Sequence, residues 1–193
     1  MAKRNYEFQP DKPHSGVLSK LYLTRQQQKT VLRWLLLTAV VVAASVIQDV
    51  VLCKAELYGA TTDLVPYAII LICVQLGADR SAIFALIAAA LYKFSGTSPG
   101  YHVMALIPVL GLSAALLRQS YFRKSFSSVM LCTCSSVIVY EMLVFLVALI
   151  FSNTVPGRGI RFLITGLLSL VVCPIIYVLT HAIEKIGEKS WIE

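Results

Sequence analysis

The sequence predicts an all-α integral membrane protein: a six-helix transmembrane bundle with both termini cytoplasmic. Three observations carry this reading. First, 58% of the 193 residues are hydrophobic and only 14% are charged, against about 25% charged residues in an ordinary soluble domain. Second, the apolar runs show no polar stripe. Runs 66–77 and 103–117 hold no charged residue before Arg118, and 81–94 holds only Lys93, at its end. A helix apolar on every side suits a medium without water. Third, the cations gather at the ends of these runs. The formal net charge of +7 therefore reads as a positive-inside bias facing a lipid bilayer, with no nucleic-acid partner.

Taken in order, residues 1–30 form a basic cytoplasmic segment without the apolar core of a cleaved signal peptide. Within it Ser15 could cap a short helix, with Val17, Leu18, Leu21 and Tyr22 on one face. Two readings stay open: an interfacial helix on the inner leaflet, or a solvated tail that only sets topology. The transmembrane domain covers 31–184. Its first span, 31–52, carries Ala39 and Ala43 at small-xxx-small spacing, which lets helix backbones approach closely. Residues 54–63 form an outer loop. The second and third spans, about 64–78 and 81–94, fall short of the ~20 residues a full crossing needs. They are either two crossings or a buried re-entrant hairpin, joined by a charged turn at Asp79-Arg80.

The link 95–102, Ser-Gly-Thr-Ser-Pro-Gly-Tyr-His, is turn chemistry throughout. The fourth span, 103–117, contains Pro108, which predicts a kink, and pairs Gly111 with Ala115. A basic inner loop, 118–124, precedes the longest span, 127–151. After an outer loop at 152–159, the sixth span runs from 159 to about 183, with Gly166, Ser169 and Pro174 inside it. A polar cytoplasmic tail, 185–193, ends the chain. On this topology thirteen of the seventeen Lys and Arg are inside, and Lys54, Lys93, Arg158 and Arg161 are outside.

Few residues suggest chemistry. Glu141 lies near the centre of the fifth span, where an acid is costly, by about 2.5–3.5 kcal/mol on the insertion scale. It is expected to face the bundle or a partner, as a structural hydrogen bonder or docking residue rather than a proton or substrate carrier. Gln48 and Gln75 are candidates for interhelical bonds. His102, at the head of the fourth helix, has no second ligand at metal spacing. The five cysteines read as small apolar core residues. No phosphate-binding loop, metalloprotease helix or nucleophile elbow occurs, and no pair of acids is expected at useful depth. No catalytic residue, metal site or cofactor is expected.

With these residues set out, the middle of the chain resembles the rod shape-determining protein MreD family. Four pieces over about 48–151 carry the similarity. They are Gln48 near the end of the first span; Pro66 and Gly77 bounding the second; the turn with Gly96, Pro99, Gly100 and His102, followed by Gly111; and Tyr121-Phe122-Arg123, followed by Tyr140-Glu141. The chain departs from the family in having Lys93 where members often carry an acid, alanines where they often carry glycines, and a long basic N-terminal segment.

The resemblance implies a non-enzymatic membrane scaffold of the bacterial cell-elongation machinery, multi-pass in the plasma (inner) membrane. It would work with an MreC-like protein, an MreB-like actin filament, and a peptidoglycan polymerase and transpeptidase. The family's fold is also similar to substrate-binding S components of energy-coupling-factor vitamin transporters, which supplies the alternative. A scaffold predicts a filled bundle whose small-residue or aromatic grooves dock partner helices. Ala39, Ala43, Gln48, Gly111 and Glu141 are the candidate packing or partner interface. An S component predicts a polar pocket open to the outer face, which the short, polar-poor outer loops disfavour.

Overall fold

The computed structural model describes residues 25–52, 62–96, 98–122, 125–151 and 154–188. The interfacial helix expected around 15–22 and most of the loop expected at 54–63 lie outside the described residues. Every regular element described is helical: α1 (Arg25–Val50), α2 (Leu64–Leu76), α3 (Ala78–Phe94), α4 (Val103–Tyr121), α5 (Phe126–Ile150), a 3-10 turn at Pro156–Arg158, α6 (Gly159–Val171) and α7 (Cys173–Glu188).

Three of these helices are long and apolar enough to cross a membrane: α1 over Gln27–Val50, α4 and α5. The continuous sixth helix expected over 159–183 is instead two, bent by 48° between α6 and α7. Pro174 explains the break. It has no N–H to donate and its ring excludes the carbonyl four residues back, so it is tolerated only in the first turn of a new helix. With α6 and α7 taken as one bent span, the number of candidate crossings is four.

The short helix α2 is the centre of the molecule. Its 13 residues rise about 20 Å, less than the ~30 Å hydrocarbon layer, and every residue from Leu64 to Gln75 is buried. It touches α1, α3, α4, α5, α6 and α7, as a helix without a polar face must. One residue turns the chain from α2 into α3. Gly77 sits at φ +83°, a left-handed conformation that costs a Cβ-bearing residue but not glycine. The charged turn expected at Asp79-Arg80 is therefore the first turn of α3, where Asp79 faces a favourable helix dipole. Gly111 lets α4 close on this hairpin: a Cβ there would lie 3.1 Å from Cys73 Sγ and 3.8 Å from the Ala85 Cβ.

Contacts sort the helix ends into two poles. At one, Arg33 at the start of α1 pairs with Glu184 at the end of α7, at 3.6 Å. Arg118, expected in a loop, also lies here, inside α4 and buried, with its guanidinium against Gly77. At the other pole the end of α1, the head of α2 and the end of α3 meet. Successive helices from α1 to α6 thus run up and down, and α7 continues α6 beyond the bend. Along α6 and α7 small and polar residues are buried and large apolar ones exposed, the inverse of a helix in a water-soluble bundle. Gly166, Ser169, Cys173 and Thr180 face inward, while Leu167, Val171, Ile175, Val178 and Leu179 face out.

Candidate functional site: a polar cluster at the head of α2 and an open flank on α1

The polar cluster begins with Asp63, the residue before α2. An Asp here ordinarily caps its own helix, but the Asp63 side chain makes no capping bond. Its Oδ1 accepts from Gln48 Nε2 at 2.8 Å and from the Tyr92 hydroxyl at 3.0 Å. Gln48 is oriented from its other side, since its Oε1 accepts the Val65 N–H at 2.9 Å. The Asp63 N–H donates to Ser169 Oγ at 3.1 Å, and Ser169 donates to the Thr165 carbonyl at 2.9 Å. Three helices, α1, α3 and α6, are joined to the α2 head through these bonds.

Glu141 completes the cluster from α5. It is 3% exposed, and a Cβ on Gly166 would lie 3.3 Å from its Cγ, so glycine at 166 leaves this acid its place. Glu141 and Asp63 act on one another electrostatically. Asp63, the last residue before α2, is partly buried at the end of the loop where the sequence placed it. Tyr140, beside Glu141 in the chain, interacts electrostatically with Asp63, Tyr92 and Glu141, and its buried hydroxyl has no hydrogen-bond partner.

The structure thus brings together Gln48 and Glu141, the polar residues singled out from sequence, with Tyr140 and Ser169, named there as part of a motif and of the sixth span, and adds Asp63 and Tyr92. Gly111 is a packing residue remote from them, in the α2–α3–α4 core. Gln75, expected to bond between helices, is buried with its Nε2 unpartnered. The turn between α3 and α4 forms a separate feature. Gly96 there has φ +85°, Pro99 is exposed, and the His102 ring lies against Gly100, where a Cβ would meet it at 2.7 Å. Lys93 Nζ stands 4.1 Å from the centre of the Tyr101 ring, a cation–π contact. Burial, and after it the Lys93 ammonium, hold the His102 imidazole below its ordinary value. Among the described residues no group of three His, Cys, Asp or Glu is arranged to hold a metal ion.

Ala39 and Ala43 sit elsewhere, on the outward face of α1. With Val31, Trp34, Leu35, Thr38 and Val42 they line an open groove of about 660 Å³. Its polar group, the Thr38 hydroxyl, is satisfied by the Trp34 carbonyl at 2.9 Å, so the groove presents apolar surface and small steps in the helix.

Comparison with known proteins places no relative beside this chain: no family model, curated protein or solved structure matches it.

Proposed function

We propose that this chain is a non-enzymatic scaffold of the bacterial cell-elongation machinery, resembling MreD, with six alternating segments in the plasma membrane and both ends cytoplasmic. The observation that carries this reading is the α1 flank. A helix of this length is bound to the bundle by one narrow seam, Leu37, Val41, Ala44 and Gln48, while the face bearing Ala39 and Ala43 is grooved and, among the described residues, covered by no other helix. Small residues at this spacing admit a second helix backbone closely, and within lipid close van der Waals packing drives helix association. An MreC-like membrane protein is the occupant proposed for the groove, with the filament and the peptidoglycan polymerase and transpeptidase recruited around it.

The test is affinity capture from native bacterial membranes in mild detergent. The wild-type chain is expected to retain an MreC-like protein, and Ala39→Leu with Ala43→Leu to lose it while keeping the wild-type melting temperature, because both alanines point away from the core. Retention by the double variant at wild-type level would refute the groove. A second reading, a substrate-binding S component, is favoured by the polar cluster around Asp63 and Glu141. Co-purification of paired ATPases with a membrane coupling protein would replace the scaffold with it.

A further inference from the structure

We infer that the start of α3, where the buried Arg118 guanidinium of α4 faces Gly77, is a binding site for one phosphate-type oxyanion. The inference goes beyond the scaffold reading and does not depend on it.

The first argument is the cation. Arg118 is 6% exposed. Among the described residues its guanidinium donates no hydrogen bond and forms no ion pair: Glu184 is engaged with Arg33, and Asp79, the acid in α3's first turn, is exposed and does not pair with it. Arg118 also stands at the end of α2, where carbonyl dipoles favour a cation, yet it donates to none of those carbonyls. A guanidinium keeps its proton in proteins, so it has no neutral form to retreat to, as a buried carboxyl has. A buried charge with unused donors is costly, and an oxyanion offsets the charge and accepts from the donors together.

The second argument is the backbone beside it. No side chain caps α3. Its first intrahelical bond runs from the Ser81 N–H to the Gly77 carbonyl at 3.0 Å, so the Ala78, Asp79 and Arg80 N–H groups have no acceptor within the helix. Gln119, next to Arg118 on α4, accepts the Ala78 N–H at 3.4 Å. The Asp79 and Arg80 N–H groups find no acceptor among the described residues. Free N–H groups at a helix start, with the dipole behind them, hold phosphate oxygens.

The third argument is room. A Cβ on Gly77 would lie 3.9 Å from Arg118 Nη2 and meet no other described atom within 4 Å. The space between the glycine and the guanidinium is therefore open, and the planar fork can take two oxygens of one phosphate. Asp79, Arg80 and Gln119 at its mouth are exposed, so the site opens to the surface, and the two charges there offset one another. A free phosphate and the headgroup of a membrane phospholipid offer the same oxygens.

The test uses the full chain purified in dodecyl maltoside, a detergent without phosphate. It is melted in sodium phosphate and in sodium chloride at equal ionic strength and one near-neutral pH. Phosphate is expected to raise the unfolding midpoint by about 3–6 °C when it stands near tenfold above its Kd, and radioactive phosphate to bind at one per chain. The shift should vanish in Arg118→Gln, shrink in Arg118→Lys, which keeps the charge but not the fork, and persist in Lys185→Gln, an exposed cation at the same pole. Should Arg118→Gln fail to fold, Arg118→Lys carries the test. Phosphatidylglycerol added to the micelles distinguishes the sources. If it stabilises the chain in chloride and removes the further effect of phosphate, the site takes a lipid headgroup; if the phosphate shift is unchanged by it, the site takes free phosphate. Either result upholds the site. Equal wild-type midpoints in the two salts, with no effect of phosphatidylglycerol, would overturn the inference in favour of a carboxylate of the chain itself, such as Asp79, Glu7 or Asp11, holding the guanidinium. A phosphate shift of wild-type size in Arg118→Gln or Arg118→Lys would overturn it in favour of general salt stabilisation. A shift lost equally in Lys185→Gln would overturn it in favour of a diffuse field at a cationic pole.

Discussion

Replacing Gln48 by Leu tests whether the end of α1 holds the head of α2. The substitution is close in volume and keeps the helix, so its effect isolates two bonds. The Val65 N–H, buried with its residue at 0% exposure, loses its acceptor at 2.9 Å; a buried donor left unpaired costs about 1–3 kcal/mol. Asp63 loses the amide donor at 2.8 Å, and a hydrogen bond to a charged group contributes about 1.5–3 kcal/mol. Burying the leucine returns about 1 kcal/mol. The net loss is about 2–5 kcal/mol, a fall in melting temperature of about 5–15 °C for a chain of this size, read by far-UV circular dichroism in detergent. Gln48→Glu separates the two bonds. It keeps an acceptor for Val65 but sets a carboxylate beside Asp63, so it should melt below Gln48→Leu at neutral pH. It should recover when combined with Asp63→Asn, whose amide can donate. If Gln48→Leu melts with the wild type, the cluster does not organise this pole and the reasoning fails.

Three further outcomes follow from the same structure. Tyr92→Phe removes one bond to Asp63 from a fully buried ring and should cost about 1–3 kcal/mol, measured by the same melt. Gly111→Ile meets Cys73 Sγ and Ala85 at contact distance; overpacking of about 1–3 kcal/mol should lower the midpoint, whereas Cys73→Ala alongside it should restore part of the loss. For His102, whose folded imidazole sits below its ordinary value, the unfolded chain binds the proton more readily. Its contribution is present above about pH 6.5 and lost as pH falls below it. The midpoint should drop on acidification through that range, with a smaller slope in His102→Asn.

The helical class was legible because it rests on composition and on runs without a polar stripe, which hold regardless of how helices meet. Ends were less legible for local reasons. Asp79 and Arg80 look like a turn in sequence, but a single glycine at positive φ makes the turn, and the two charges fall on the exposed face of α3's first turn. Pro174 was visible as a proline inside an apolar run. That it divides the helix rather than kinking it depends on Val172 and Cys173 ending one ladder and starting the next. Gln48 and Glu141 stood out as polar residues within apolar runs. Tyr92 and Ser169 did not, because a tyrosine and a serine near helix ends are ordinary there, and only the fold shows them converging on one residue, Tyr92 on the Asp63 carboxylate and Ser169 on its backbone N–H.

Asp63 was the residue whose role was least legible in the sequence, and the cause is the length of α2. A helix of full span begins at the interface, where water serves its first N–H groups. A helix of 13 residues wrapped by six neighbours begins within the bundle, and its first donors need acceptors from other helices. Gln48 supplies one for Val65, and Ser169 supplies one for Asp63. With the backbone served from α1 and α6, the Asp63 carboxylate is released from capping and turns toward Gln48, Tyr92 and the field of Glu141. A cue was available: an apolar run too short to cross, preceded by an acid and flanked by helices that each carry one polar residue in their apolar stretch. That combination draws the acid partly into the bundle, because a short central helix does not carry its head fully into water. The polar cluster is thus a consequence of α2's brevity, and lengthening the α2 head by a helical turn should dissolve it before it disturbs the α3–α4 packing on the other side.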